Sequence, residues 1–218
     1  MTEKIQRPPP TVWLGFSFVS GLLGLALLIS FFQVNRSRQL PQLPVLGSIA
    51  AFTLTNQDGQ ITTLADFSNH VWVADIVFTR CAGPCPRLTQ QMHGLQLLLP
   101  ESTKLVTLTT DPEFDSPTVL KKYGQRFDAD FNRWTFLTGT KNEIAALASG
   151  SLKLSAQPVK PADQKDVADL FIHTTIFVIV DKHARLRGFF ETGGDGVDWT
   201  NSVQPRILAS VRLLENEP

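Results

Sequence analysis

An apolar run that ends in two cysteines constrains the fold of this chain more than any other stretch. Val71 to Thr79 (VWVADIVFT) has the length and β-branched content of a buried strand, with Asp75 as its odd polar member. Cys81-Ala82-Gly83-Pro84-Cys85-Pro86 follows at once. From Pro86 to Leu99, Leu88, Met92, Leu95, Leu98 and Leu99 recur at helical spacing. A strand feeding a helix in this way presents both thiols together, Cys81 in the loop and Cys85 at or near the first turn. Gly83 and Pro84 let the backbone curl around the pair, and Pro86 suits a first turn, where its missing N–H is harmless.

These are the only two cysteines in 218 residues. They cannot form a disulfide framework for a domain of this size, so they read as a functional pair. Free N–H groups and the helix dipole favour the thiolate at such a position. A thiolate is both the nucleophile of disulfide exchange and a soft ligand for Cu(I). Three intervening residues are compatible with one metal ion between the sulfurs and with a disulfide. Two buried spectator cysteines are the plain alternative.

A good copper site needs a third ligand, and the chain has four histidines. His173 precedes the β-branched run Thr174 to Val180, where a loop could approach the cysteines; a structural or exposed histidine is the competing reading. His93 lies eight residues past Cys85, about 12 Å along a helix, too far to share a metal with the thiols. His70 belongs to the far end of the central strand, and His183 to a turn facing solvent. Asp111 to Pro117 (DPEFDSP) could lie beside the cysteine loop at the carboxyl edge of the sheet, although loop and helix-cap chemistry explains its carboxylates. Asp75 either is buried and modulates the thiols or faces solvent at an edge.

The remaining pattern is strand, helix, strand, helix, strand, helix, then a hairpin and a helix. Candidate strands are Ala51–Thr55, Gln60–Thr63, Leu105–Leu108, Trp134–Leu137, Thr174–Val180 and Arg185–Phe190. Ser116-Pro117 opens one helix, and Thr140 with Glu143 forms a capping box for another. Ser151 to Asp169 reads as a surface excursion, and the last helix lies near Ser202 to Leu214. One mixed α/β sheet covered by helices follows.

Val12 to Val34 carries no charge over 23 residues, enough for a helix to span about 30 Å of hydrocarbon. It is longer than the core of a signal peptide and ends in bulky Phe31, Phe32 and Val34, so an uncleaved anchor is expected. The expected organisation is a tail over 1–11, a transmembrane helix over 12–34, a linker over 35–48 and a domain over 49–218. Lys4 and Arg7 balance Arg36 and Arg38 across the span. The short leader favours a cytoplasmic N-terminus, hence a single-pass protein of the bacterial cytoplasmic membrane with its domain on the extracytoplasmic side, where thiol oxidation is allowed. A formal net charge of zero gives no pointer to nucleic acid.

Several segments in order resemble the SCO (SCO1/SenC) family of copper-handling proteins. Asp75 to Pro86 is similar to that family's CxxxCP after a strand ending in Phe-Thr. Asp111 to Pro117 resembles its Asp-Pro-x-x-Asp-Thr-Pro, with Ser116 for Thr. Phe136-Leu137-Thr138-Gly139 resembles its Leu-Thr-Gly segment, His173-Thr174 stands where it has a ligand histidine followed by Ser, and Val180-Asp181 also fits. The resemblance covers about Ala51 to Leu214 and implies a thioredoxin-like fold. It implies that Cys81, Cys85 and His173 bind one copper ion, as Cu(I) or Cu(II). The implied partner is the copper-bearing subunit of cytochrome c oxidase, or another copper or thiol protein. Two departures stand out: Ala82-Gly83-Pro84 lacks the usual acidic residue, and Ile172 replaces the common Asp before the histidine.

The leading expectation is therefore a membrane-anchored copper chaperone that loads the dinuclear copper site or prepares its thiols. The alternative is a membrane-anchored thiol–disulfide reductase in which Cys81 and Cys85 are the redox pair and no histidine is needed. Two further readings stay open: a peroxidase relative using Thr79 and Arg80, and a purely structural tethered domain.

Overall fold

The computed structural model describes residues 24, 25, 28, 30, 42–154, 175–194 and 196–217. The chain divides into two compact units, Met1–Gln42 and Leu43–Pro218. In the first, residues 24, 25, 28 and 30 are helical, with Leu25 and Leu28 exposed. Among the described residues no helix is long and apolar enough to cross a membrane. Most of the expected span over Val12–Val34 lies outside them.

The second unit is built on an eight-stranded sheet. Its strands are β1 (Gly47–Ser48), β2 (Thr53–Asn56), β3 (Ile61–Thr63), β4 (Trp72–Val77), β5 (Lys104–Thr109), β6 (Trp134–Thr138), β7 (Ile176–Val180) and β8 (Arg185–Glu191). Their order is β1-β8-β7-β4-β5-β6-β2-β3. The central β4 runs parallel to β5, and β5 to β6; the remaining pairs are antiparallel. The α-helices described in this unit are α1 (Pro84–Leu98), α2 (Pro117–Arg126), α3 (Lys141–Ala145) and α4 (Gln204–Glu215). Parallel neighbours need crossovers, which α1 and α2 supply.

Side chains alternate along β4 and divide the core in two. Val73 and Val77 face a cluster with Leu88, Met92 and Leu95 of α1, Leu120 and Tyr123 of α2, and Ile207 and Val211 of α4. Trp72, Ala74 and Ile76 face Phe67, Ile144 and Leu147 on the other side. Asp75 shares the register face of Val73 and Val77 and is fully buried, which decides its environment against the solvent-facing alternative. On α2, Gly124 is a packing requirement, since a Cβ there would meet Phe131 at 2.8 Å and Phe136 at 2.9 Å.

Several expectations shift. Residues 43–48, expected as linker, join the folded unit: Leu46 N–H bonds Leu186 C=O at 2.8 Å, and β1 pairs with β8. Arg187, only 3% exposed, donates to the carbonyls of Leu43 (2.6 Å) and Pro44 (3.3 Å). It also binds Asp181 at 2.6 Å and Glu217 at 2.7 Å. Of the expected surface excursion, Ser151, Leu152 and Leu154 are buried, because the helical path continues past α3 and turns them inward. Residues 155–174 lie outside the described residues. Leu98, one of the residues at helical spacing, is 51% exposed, whereas Leu95 and Leu99 on either side of it are buried in the same core cluster.

Candidate metal centre

The cysteines sit where β4 ends at the carboxyl edge of the sheet. Past Val77 the chain turns, with the Cys81 N–H on the Phe78 C=O at 3.2 Å, and α1 begins at Pro84. Cys85 is thus the second residue of α1, and Cys81 stands in the loop before it. Neither is in a disulfide, and both are buried, at 5% exposure. Ala82 and Gly83 between them are exposed. The two thiols are hydrogen-bonded to each other, and this contact, followed by burial, pushes the Cys85 pKa up. A backbone contact at Phe78 pulls the other way. The helix start is therefore not enough to make Cys85 an anion by itself. An electrophile or a soft cation must displace its proton.

A carboxylate clamp holds this loop. Asp115, fully buried, accepts the Thr79 backbone N–H at 3.1 Å, the Thr79 hydroxyl, and the Thr109 hydroxyl at 2.5 Å. Burial raises its pKa, and the Thr109 and Thr79 hydrogen bonds oppose that. Thr109 Oγ1 also accepts the Asp111 N–H at 2.9 Å. Asp111 in turn binds the Arg80 guanidinium at 2.5 Å, and that guanidinium lies 4.3 Å from the centre of the half-exposed Phe114 ring. The segment after β5 thus grips the residues just before Cys81. Loop and helix-cap chemistry understated these carboxylates. The available signal was two threonines, Thr79 and Thr109, at the ends of adjacent parallel strands, with an aspartate six residues past the second. Thr79 and Arg80 are committed to this clamp, which removes the basis for a peroxide pocket built on them.

Behind the thiols, Thr89 Oγ1 donates to the Cys85 C=O at 3.0 Å and meets the Tyr123 hydroxyl at 2.7 Å. This ties the first turn of α1 to α2. Asp75 lies on the same side of the sheet with no hydrogen-bond partner for either carboxyl oxygen. Its pKa is pushed up to about 7 by burial, with the neighbouring Thr107 hydroxyl moderating the shift. Thr107 is itself occupied in accepting Trp134 Nε1–H at 2.9 Å.

His173 lies outside the described residues. Thr175, two residues on, accepts the Thr192 N–H at 2.6 Å, and the adjoining Gly193 packs against Arg87 of α1. His93 is partly buried on α1 with an unpartnered Nδ1, His70 Nδ1 lies 2.8 Å from the Ser102 C=O, and His183 is exposed. Among the described residues no group of three or more His, Cys, Asp or Glu side chains could hold a metal ion. Cys81 and Cys85 are the two soft donors the described fold brings together.

A mixed sheet with a dithiol at the junction of its central strand and first long helix defines a thioredoxin-like thiol protein. The SCO1/SenC family model matches residues 46–207. The chain belongs to the SCO1/SenC family. It is 33% identical over 141 residues to the SCO1 protein homolog of Bacillus subtilis, covering 63% of this chain and 70% of that one. Among solved structures it resembles BsSco, described as a member of the Sco family of cytochrome c oxidase assembly proteins with a disulfide switch. Identity is 28%, with 81% of this chain and 99% of that chain covered and a TM-score of 0.65. It also resembles yeast Sco1 with copper bound, at 25% identity, 75% and 87% coverage and a TM-score of 0.56.

Proposed function

We propose that this protein is a membrane-anchored copper chaperone that delivers copper to the dinuclear copper site of cytochrome c oxidase, or prepares that site's thiols. The observation that carries the reading is the contacting, buried Cys81–Cys85 dithiol held by the Asp115 clamp. Two adjacent soft donors fit a thiophilic, low-coordinate ion such as Cu(I) better than a closed tetrahedral zinc site, which needs four ligands. The copper-bound yeast relative and the assembly role described for BsSco support the cargo and the client.

His173 is the proposed third ligand. It stands two residues before Thr175, within about 7 Å of chain even if fully extended. Thr175 itself belongs to the junction with Gly193 and Arg87 beside the first turn of α1. Loading exchanges two S–H bonds for two sulfur–copper bonds and releases both protons. Transfer reverses this as a client's thiolates replace Cys81 and Cys85 one at a time and the departing sulfurs take protons back. Val12–Val34 as anchor, 35–42 as tether and an extracytoplasmic domain would confine donor and client to one membrane.

The mutual contact of the two thiols favours a second reading, a thiol–disulfide reductase. One thiolate attacks a client disulfide and the other resolves the mixed disulfide, so the client gains two electrons and this chain keeps a Cys81–Cys85 bond.

The deciding experiment titrates the reduced full-length chain with Cu(I) against a competing chelator, alongside Cys81→Ser, Cys85→Ser and His173→Ala. One tightly bound ion, weakened by each substitution, is expected. Absent binding together with a readily cycled Cys81–Cys85 disulfide would overturn the chaperone reading in favour of the reductase. His173→Ala keeps disulfide exchange in either case.

A further inference from the structure

Among the described residues near the dithiol, two cations are paired with carboxylates. Arg80 is held by Asp111 at 2.5 Å, and Lys141 by Glu113 at 2.8 Å. Arg87 is exposed and makes no ion pair or hydrogen bond with any described residue. It stands two residues past Cys85, within one turn of α1. The inter-cysteine residues Ala82, Gly83 and Pro84 bring no acid to offset it.

The Arg87 guanidinium lies against the loop after β8. A Cβ added to Gly193 would stand 2.5 Å from an Arg87 guanidinium nitrogen and 2.9 Å from Thr175 Cβ. The missing side chain therefore makes the space in which the guanidinium lies. One helical turn later, Gln91 Nε2 donates to the Thr192 C=O at 3.2 Å and fastens the same helix face to the same loop. Glu191, the described carboxylate on that loop, has an oxygen 3.7 Å from where a Gly194 Cβ would be, and makes no ion pair with Arg87. Arg87 thus occupies the junction of α1 with the strand end that follows His173, and the N-terminal dipole of α1 adds to its positive field.

We infer that Arg87 is a specificity-determining residue that favours partners whose reacting sulfurs are flanked by carboxylates. The inference rests on the dithiol reading of Cys81 and Cys85 given above. An exposed cation beside a nearly closed thiol site lowers the energy of an approaching anion and leaves an uncharged partner unaffected.

The test follows oxidation of the reduced full-length chain by two small disulfides, the dianionic dithiobis(nitrobenzoate) and the uncharged dithiodipyridine. With either probe one cysteine sulfur attacks the probe's S–S bond and one aryl thiol leaves. The second cysteine then displaces the other, so the dithiol loses two electrons and the probe gains them. Arg87→Ala should slow the dianionic probe roughly threefold and Arg87→Glu roughly tenfold, and ~1 M salt should erase both effects. Dithiodipyridine should react at an unchanged rate, and Arg87→Lys should behave as the parent with both probes. Equal slowing with both probes would mean that Arg87 acts on thiol ionisation, and no slowing would mean that it does nothing; either result overturns the inference. If neither probe oxidises the parent chain, the dithiol reading itself has failed.

Discussion

Replacing Asp75 with valine should stabilise the protein in a strongly pH-dependent way. Valine removes the ionisable group, has a similar volume and suits the middle of β4. A carboxyl whose pKa stands at about 7 in the folded chain, against 3.8 when exposed, binds its proton more tightly in the folded state. Folding is therefore helped by acid. This contribution is fully present below pH 3.8 and is lost as pH rises through about 7. Each decade between the two values is worth about 1.4 kcal/mol, so the whole effect is about 4 kcal/mol. Urea unfolding of the reduced protein at pH 4, 6 and 8 measures it, with the buried Trp72 and Trp134 as fluorescent reporters. The gain of Asp75→Val over the parent should be about 4 kcal/mol larger at pH 8 than at pH 4. The comparison cancels whatever the substitution does to packing, which is the same at both pH values. A difference below about 1 kcal/mol would refute the argument and mean that Asp75 finds a partner for its charge.

Asp115→Ala leaves the Thr79 N–H and two hydroxyls without their acceptor, which should cost roughly 2–4 kcal/mol of stability. It should also raise the alkylation rate of Cys81 by an uncharged reagent, and unchanged thiol accessibility would show that the clamp does not hold the loop. Because the Cys85 thiol is held protonated by its contact with Cys81 and by burial, Cu(I) uptake must release its proton. Apparent affinity should then rise at least about tenfold per pH unit between pH 6 and 8; a flat profile in competition titrations would contradict this origin of the Cys85 shift.

The neighbourhood of the thiols was largely legible because it is encoded locally. The β-branched run of β4, the glycine and prolines at the turn and the spacing of Leu88, Met92 and Leu95 all act within a few residues of each other. The Thr140–Glu143 box is another such case, with the Glu143 N–H on Thr140 Oγ1 at 3.3 Å and the Thr140 N–H on Glu143 at 2.8 Å. What escaped depends on distant partners. Gly47 and Ser48 have no strand signature of their own and join the sheet because the edge of β8 is there to receive them. Leu152 and Leu154 sit in a polar stretch, yet the core against Trp72 and Ile144 takes them in. The role of Asp115 depends on β4 and β5 ending side by side, which no single-segment pattern contains.

Arg187 has a consequence for where this domain can be cut. One buried guanidinium buckles the entering strap at Leu43 and Pro44 to the closing segment at Glu217. A shortened version that starts after Pro44, or stops before Glu217, strips partners from a cation with little access to water. Fraying at either end should therefore loosen the other, and protease cuts at the two ends should appear together rather than one after the other. Tension on a tether pulling at Leu43 would likewise be borne by β8 and the tail of α4 as well as by the two-residue edge strand that begins at Gly47.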